Sequence, residues 1–329
     1  MAAEEFNDLI ETFVLVGRQV GWTKTTVTSY RWHLTRLALW LERRGVTTVD
    51  GLTARLLLEF GAYQRDRWAA NTTKTGTVAI RSFLRTLAEQ GLCKPELAKV
   101  LKVPRIKQRI QRTVTGAEVA AMLTSLDKPY RTAMTDAKNH ALRLRNKCIV
   151  ALLFDSMLRA SELCSIRLAD TDVDARLIIV RQGKGDRDGR VRFSEATAEY
   201  MRAWLEIRPF VALASCDFLF CGVTGNTPGE QITRDGLKRI VSGISQRAGI
   251  AEATPHAFRR GGAVQAIRNG ASSRIVQDMG RWEHISMIET YTRALQSEDL
   301  YDDYAPMNNV EPKRPTADLP IGDNPEQAR

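Results

Sequence analysis

The sequence predicts a mainly α chain carrying a small antiparallel β-sheet, an α+β fold in two domains. Three observations predict it. Helical periodicity fills the first third of the chain, a proline-broken basic stretch follows, and the remainder mixes helical patterns with one strand–turn–strand signature. The length, 329 residues, also exceeds what one ordinary core organises.

Phe6, Leu9, Ile10, Phe13 and Val14 share one face of a first helix. Val27, Tyr30, Leu34, Leu37 and Leu41 repeat the pattern in a second, with Arg31, Arg36, Arg43 and Arg44 interleaved and Gly45 as its stop. A third helix is expected over Ala54 to Arg67. A fourth is expected from about Thr72 to Gln90, with Val78, Phe83, Leu84 and Leu87 inward, Lys74, Arg81 and Arg85 elsewhere, and Gly91 as C-cap. Residues 1–102 thus read as a helical bundle with basic faces.

Residues 103–112 read as a linker. Pro104 breaks the helical pattern, and Arg105, Lys107, Arg109 and Arg112 make a basic strap suited to a phosphate backbone. Thr115 to Glu118 is a capping box that opens the second domain, 113–304. Cys148 to Met157 is nearly continuous apolar sequence and predicts a buried helix. Leu177 to Val180 predicts a strand, Gly183 to Gly189 a turn, and Arg190 to Phe193 the return strand. Helices are expected at 195–207, 233–248, 256–269 and 272–279. From 305 to 329 the composition turns to Pro, Asn and Asp, and order is expected to fade.

The formal net charge is +10. Residues 1–112 hold 19 Lys and Arg against 10 Asp and Glu, a net +9, so the N-terminal third carries nearly all the excess. An anionic partner is the expectation, with nucleic acid foremost. The five cysteines, Cys93, Cys148, Cys164, Cys216 and Cys221, include no C-x-x-C pair. Their odd number without a secretory signal fits a reducing cytoplasm. No apolar stretch is long enough for a membrane span, and no metal-binding spacing appears, so no metal is expected.

Phosphoryl transfer needs an in-line nucleophile, cations around the non-bridging oxygens and an acid for the leaving oxygen. Five blocks supply such residue types in order. They are Leu158-Arg159-Ala160-Ser161-Glu162-Leu163, Gly183-Lys184-Gly185, Thr254-Pro255-His256-Ala257-Phe258-Arg259-Arg260, Gly280-Arg281-Trp282, and Tyr291-Thr292-Arg293. Tyr291 stands nine residues after Trp282. Together they resemble the tyrosine site-specific recombinases and phage-type integrases, in motif detail over about 113–304 and only in outline before that.

The resemblance implies the following roles. Arg159 and Arg259 bind the scissile phosphate, His256 assists proton transfer, and Lys184 protonates the departing 5′ oxygen. Trp282, at a position where the family has His or Trp, offers its indole N–H and packs the nucleophile's helix. Glu162 orients its neighbours. Tyr291 attacks to give a 3′-phosphotyrosine, with neither metal nor ATP. Tyr301 and Tyr304 are rival nucleophiles at the wrong spacing from Trp282. The resemblance further implies a C-shaped clamp around double-stranded DNA with inverted-repeat half-sites. It also implies a homotetramer on two sites, a dimer per site, with Leu295 to Tyr304 docking on a neighbour and accessory DNA-bending proteins as further partners. Lys74, Arg81, Arg85, Arg105, Lys107 and Arg109 are the candidate DNA contacts.

Two departures stand out. Ser156-Met157 replace the family's frequent Thr-Gly before the Leu-Arg pair. Arg260 stands where many members have a second His, which would make the site more cationic. A type IB topoisomerase, a catalytically silent DNA-binding accessory protein and an RNA-binding basic protein are the competing readings.

Overall fold

The computed structural model describes residues 4–106, 111–130, 134–181 and 188–292, with 290–292 in backbone alone. The chain divides into two compact units, Met1–Arg109 and Ile110–Arg329. Lys107, Arg109, Lys184, Tyr301, Tyr304 and the 305–329 tail lie outside the described residues.

The first unit is a helical bundle. Helix α1 spans Glu4–Gln19, α2 Lys24–Glu42, α3 Ala54–Arg67, α4 Ala70–Glu89 and α5 Leu97–Val100. Thr23 and Thr53 cap α2 and α3 by accepting from the backbone N–H groups of Thr26 and Leu56. The apolar periodicity explains the packing: Phe6, Ile10, Phe13, Leu34, Leu37, Leu41, Phe60, Phe83 and Leu84 form one buried cluster. Phe13 sits edge-on to Trp22 at 5.0 Å and to Phe83 at 5.5 Å.

Val78 is not inward as the α4 pattern suggested. It is exposed, and Ala79 and Ile80 fill the core instead. Val78 shares an outer stripe with Lys74, Arg81 and Arg85, which follow at helical spacings of three and four residues. The strong 3.6 period of that face was real, but a single Val within it was read onto the wrong side.

The second unit surrounds a three-stranded sheet with helices. Helix α6 spans Gly116–Ser125 and opens with the expected capping box: Thr115 Oγ1 accepts from the Glu118 N–H at 3.2 Å, and Glu118 accepts from the Thr115 N–H at 2.9 Å. Helix α7 spans Asp136–Ser156 and starts twelve residues before the expected Cys148. Its first half, DAKNHALRLRNK, buries only Ala141 and Leu142 among its apolar residues, and the rest of the burial there is polar. Asn139, Arg145 and Asn146 are buried, with Arg145 bonded to Asn146 Oδ1 and to the Cys221 carbonyl.

Helix α8, Ala160–Ser165, leads to β1, Thr171–Asp172, β2, Leu177–Val180, and β3, Gly189–Arg192. The strands pair antiparallel in the order β1-β2-β3, with Ile178 opposite Val191. The sequence showed two strands. The third is only two residues long, too short for any periodic signal. Helix α9 spans Glu195–Ile207, α10 Arg234–Arg247, α11 Pro255–Arg268, α12 Ser273–Gly280 and α13 Ser286–Thr292. The central part of α7 packs on α9, α11 and the sheet in the main core, which includes Ile149, Leu152, Ile178, Trp204 and Phe258. Among the described residues no helix is long and apolar enough to cross a membrane.

Candidate active site

The segment between α7 and α8 places the first arginine. Met157 ends α7 with φ 51° and ψ 30°, a left-handed backbone that L residues with long side chains adopt at some cost. This is the position of the missing glycine. The departure therefore keeps the turn and adds a side chain. Met157 is buried with Ala263, Val276, Trp282 and Ile288 in a separate small cluster, which joins α11, α12 and α13. Met157→Gly should relieve about 1–2 kcal/mol of backbone strain but lose the burial of a whole Met side chain, about 2–5 kcal/mol. Urea unfolding is expected to show a net loss of stability in the variant.

Arg159 follows as the N-cap of α8, and its backbone N–H donates to Glu162 Oε2 at 2.7 Å. That cap is why α8 was not foreseen, since the capping carboxylate reaches back to an Arg and not to a usual Ser, Thr or Asp. The Arg159 guanidinium donates to Glu162 Oε1 at 2.5 Å and to the Arg281 carbonyl at 3.4 Å. Glu162 is 5% exposed and bonds Arg281 as well, at 2.7 Å. Burial pushes the Glu162 carboxyl up, but Arg281 and the two Arg159 bonds outweigh it, so its pKa lies below the ordinary carboxylate value.

Helix α11 places the second arginine. Thr254 caps it, Pro255 occupies its first turn, and His256 and Arg259 follow one turn apart. Gly262 lets α11 approach closely: a Cβ there would stand 2.3 Å from the Phe154 carbonyl oxygen. Arg259 is 3% exposed. Its two Nη groups donate to the carbonyls of Met157 and Gly280, and its guanidinium lies 4.5 Å from the centre of the Trp282 ring. Arg159 and Arg259 are thus both tethered to the 280–282 segment that leads into α13.

Arg260, expected to add charge to the site, is one of the cations that hold down the His256 pKa, and it has a structural use as well. It donates to the Arg112 carbonyl at 2.7 Å and to Gln111 at 2.9 Å, tying down the start of the second unit. Arg112 itself bonds Glu118 and the Ala251 carbonyl. A His at position 260 has no such reach, so the charge was legible and the structural bonds were not.

His256 lies at the surface of the first turn of α11. Partial loss of water, and then the charges of Arg260, Arg259 and Arg159, hold its pKa below the ordinary 6.5. In the DNA-free protein, an NMR titration of the ring should show a midpoint under that value. Folding disfavours the protonated ring, so this group's contribution to stability is complete above 6.5 and declines as the pH falls towards the lowered value. A phosphate at the site should move the midpoint back up.

A cleft of about 570 Å³ opens beside Arg159, lined also by Arg190, Arg274, Arg281 and Trp282 and by the acidic Asp188, Asp278 and Glu283. Tyr291 lies in α13, whose Ile288 packs in the same cluster as Trp282. The structure therefore brings together Arg159, Glu162, His256, Arg259 and Trp282, and carries the Tyr291 backbone on the adjoining helix. Arg281 and Met157 were missed as site residues. Arg281 stood within the quoted Gly-Arg-Trp block, but nothing in the sequence connects it to Glu162, 119 positions away. In the first unit, Lys74 and Arg85 are exposed on α4 and Arg81 is half-buried, while Arg105 is exposed beyond α5.

Fold and site together define a DNA strand-exchange protein, and the comparisons agree. The Phage integrase family matches residues 112–298, more than half of the chain, and the chain belongs to that family. Over 275 residues it is 28% identical to tyrosine recombinase XerC of Lactobacillus leichmannii, covering 83% of this chain and 89% of that protein. It is 26% identical over 283 residues to tyrosine recombinase XerD of Mycobacterium tuberculosis, covering 83% and 88%. Its fold is similar to that of a lambda integrase dimer bound to a COC′ core site (TM-score 0.66, 14% identity, 88% of this chain and 78% of that one). It is also similar to XerH recombinase bound to difH in a post-cleavage complex (TM-score 0.65, 18% identity, 81% and 76%).

Proposed function

We propose that this tyrosine recombinase exchanges DNA strands at specific sites through a covalent link to Tyr291. One observation carries the assignment: Arg159 and Arg259, from two different helices, are both fastened to residues 280–282, directly before the helix that holds Tyr291. Two guanidinium groups tied to the segment that leads into a tyrosine-bearing helix suit a phosphodiester, whose non-bridging oxygens gain charge as a fifth oxygen approaches.

In this reading Arg159 and Arg259 hold those oxygens. Arg159 has five N–H donors in its guanidinium and gives two of them to Glu162 and Arg281. The Tyr291 oxygen attacks phosphorus, the bond to the 5′ oxygen breaks, and Lys184 supplies the proton to that oxygen. His256, neutral near pH 7, accepts the phenolic proton and later returns it. Trp282 packs under Arg259 and supports α13, and Glu162 fixes the orientation of Arg159. The resulting 3′-phosphotyrosine keeps the energy of the phosphodiester, so a 5′ hydroxyl from the partner strand can rejoin it without ATP.

Lys74, Arg81 and Arg85 on one α4 face, together with Arg105, Lys107 and Arg109 beyond it, contact the phosphate backbone of inverted-repeat half-sites. Binding accordingly weakens with salt. A homotetramer on two sites, coupled through Leu295 to Tyr304, and accessory DNA-bending proteins complete the assembly. The test uses DNA fragments nicked near the cut, incubated in EDTA without ATP and run on a denaturing gel. A protein–DNA adduct at one site, with recombination between two copies of it, is the expected result. Relaxation of any supercoiled DNA irrespective of site would instead indicate topoisomerase action. Tight binding with no adduct would indicate an accessory protein.

A further inference from the structure

We infer that Arg281 is a positioning residue for the phosphate-binding Arg159, acting through the buried carboxylate of Glu162. This rests on the reading that Arg159 holds the scissile phosphate.

Arg281 follows α12 with φ 53°, a left-handed conformation that a glycine adopts more readily. Its N–H caps the helix by donating to the Asp278 carbonyl at 2.9 Å. The side chain folds back. One Nη donates to the Met279 carbonyl at 3.0 Å, and the other to Glu162 Oε2 at 2.7 Å. The same carboxylate takes the Arg159 guanidinium on Oε1 and the Arg159 backbone N–H on Oε2. Arg281 therefore reaches Arg159 by two routes, through Glu162 and directly through its own carbonyl oxygen.

The chemical consequence concerns charge. A buried carboxylate facing one arginine would neutralise it and compete with a phosphate for its donors. Shared between two arginines, Glu162 leaves the trio with a net positive charge and leaves Arg159 anchored but not saturated. The first residue of β3 accommodates the arrangement. A Cβ on Gly189 would come within 2.6 Å of Arg281 Cδ, so the Arg281 stem lies against β3.

Arg281→Gly is the informative variant, because the backbone conformation suits glycine. Single-turnover adduct formation would be measured on the cleaved DNA site and on the same site with a methylphosphonate at the scissile position, which removes the phosphate's negative charge. Arg159→Ala is the control. Arg281→Gly is expected to slow adduct formation on normal DNA by about tenfold or more, with the dissociation constant for DNA unchanged. On the methylphosphonate the deficit should shrink, as it should for Arg159→Ala. Adding Glu162→Gln to Arg281→Gly should recover part of the rate, because the unshared carboxylate no longer competes for Arg159, and Arg281→Lys should retain part of it. Wild-type rates in Arg281→Gly, or an equal deficit on both substrates, would overturn the inference. If Arg159→Ala itself cleaves normally, the assignment of Arg159 fails first, which separates the two readings.

Discussion

Tyr291→Phe is expected to bind its DNA site as the wild type does and to form no covalent adduct. The phenolic oxygen is the only atom removed, and no other nucleophile is proposed at the phosphorus. Losing the nucleophile of a covalent mechanism costs roughly four to six orders of magnitude in rate. Binding should persist because the proposed phosphate contacts, Lys74, Arg81, Arg85 and Arg105 among them, lie elsewhere. Gel-shift titration and adduct formation on the same nicked substrate check both halves. An adduct that survives the substitution would move the nucleophile to Tyr301 or Tyr304.

Arg259→Ala is the second large effect, and it has two parts. A guanidinium that stabilises a transferring phosphoryl group is worth about 10³–10⁵ in rate, so cleavage should fall by that order. Arg259 also donates to the carbonyls of Met157 and Gly280 and stacks on Trp282 from a buried position. Removing it leaves those acceptors without that donor, at a cost of about 1–3 kcal/mol in stability. Arg259→Lys keeps the charge but has a single nitrogen where the fork holds two carbonyls. It should recover much of the stability and little of the rate. Urea unfolding beside single-turnover cleavage separates the two contributions. Equal losses in both would make Arg259 a structural residue alone.

Much of this arrangement was legible because its signals are local. The bounds of α3 and α9 and the capping box at Thr115 follow from apolar period and capping chemistry within a few residues. Arg159, His256, Arg259 and Trp282 were legible as motif residues; in the fold Arg159 and Trp282 line one cleft, and Arg259 lies against the Trp282 ring. What the sequence hid was non-local or too short. The first half of α7 buries Ala141 and Leu142 beside polar groups, with Asn139 accepting from the Tyr130 N–H and Arg145 donating to the Cys221 carbonyl, so its apolar pattern is thin. β1 is two residues long. The link from Glu162 to Arg281 joins positions far apart in the chain, and so do the bonds of Arg260, a cation near His256, to Gln111 and the Arg112 carbonyl. Met157 was correctly noted as standing where glycine is frequent, but only its left-handed backbone shows that the turn survives the exchange.

The central claim is that a phosphodiester passes through Tyr291 itself. The most direct measurement isolates the adduct trapped on a nicked substrate, digests it with nuclease and protease, and locates the nucleotide-bearing residue by mass spectrometry. The expected product is a nucleotide joined through its 3′ phosphate to Tyr291, with a free 5′ hydroxyl on the released strand. A nucleotide on Tyr301, Tyr304 or a serine, or a 5′-linked product, would contradict it.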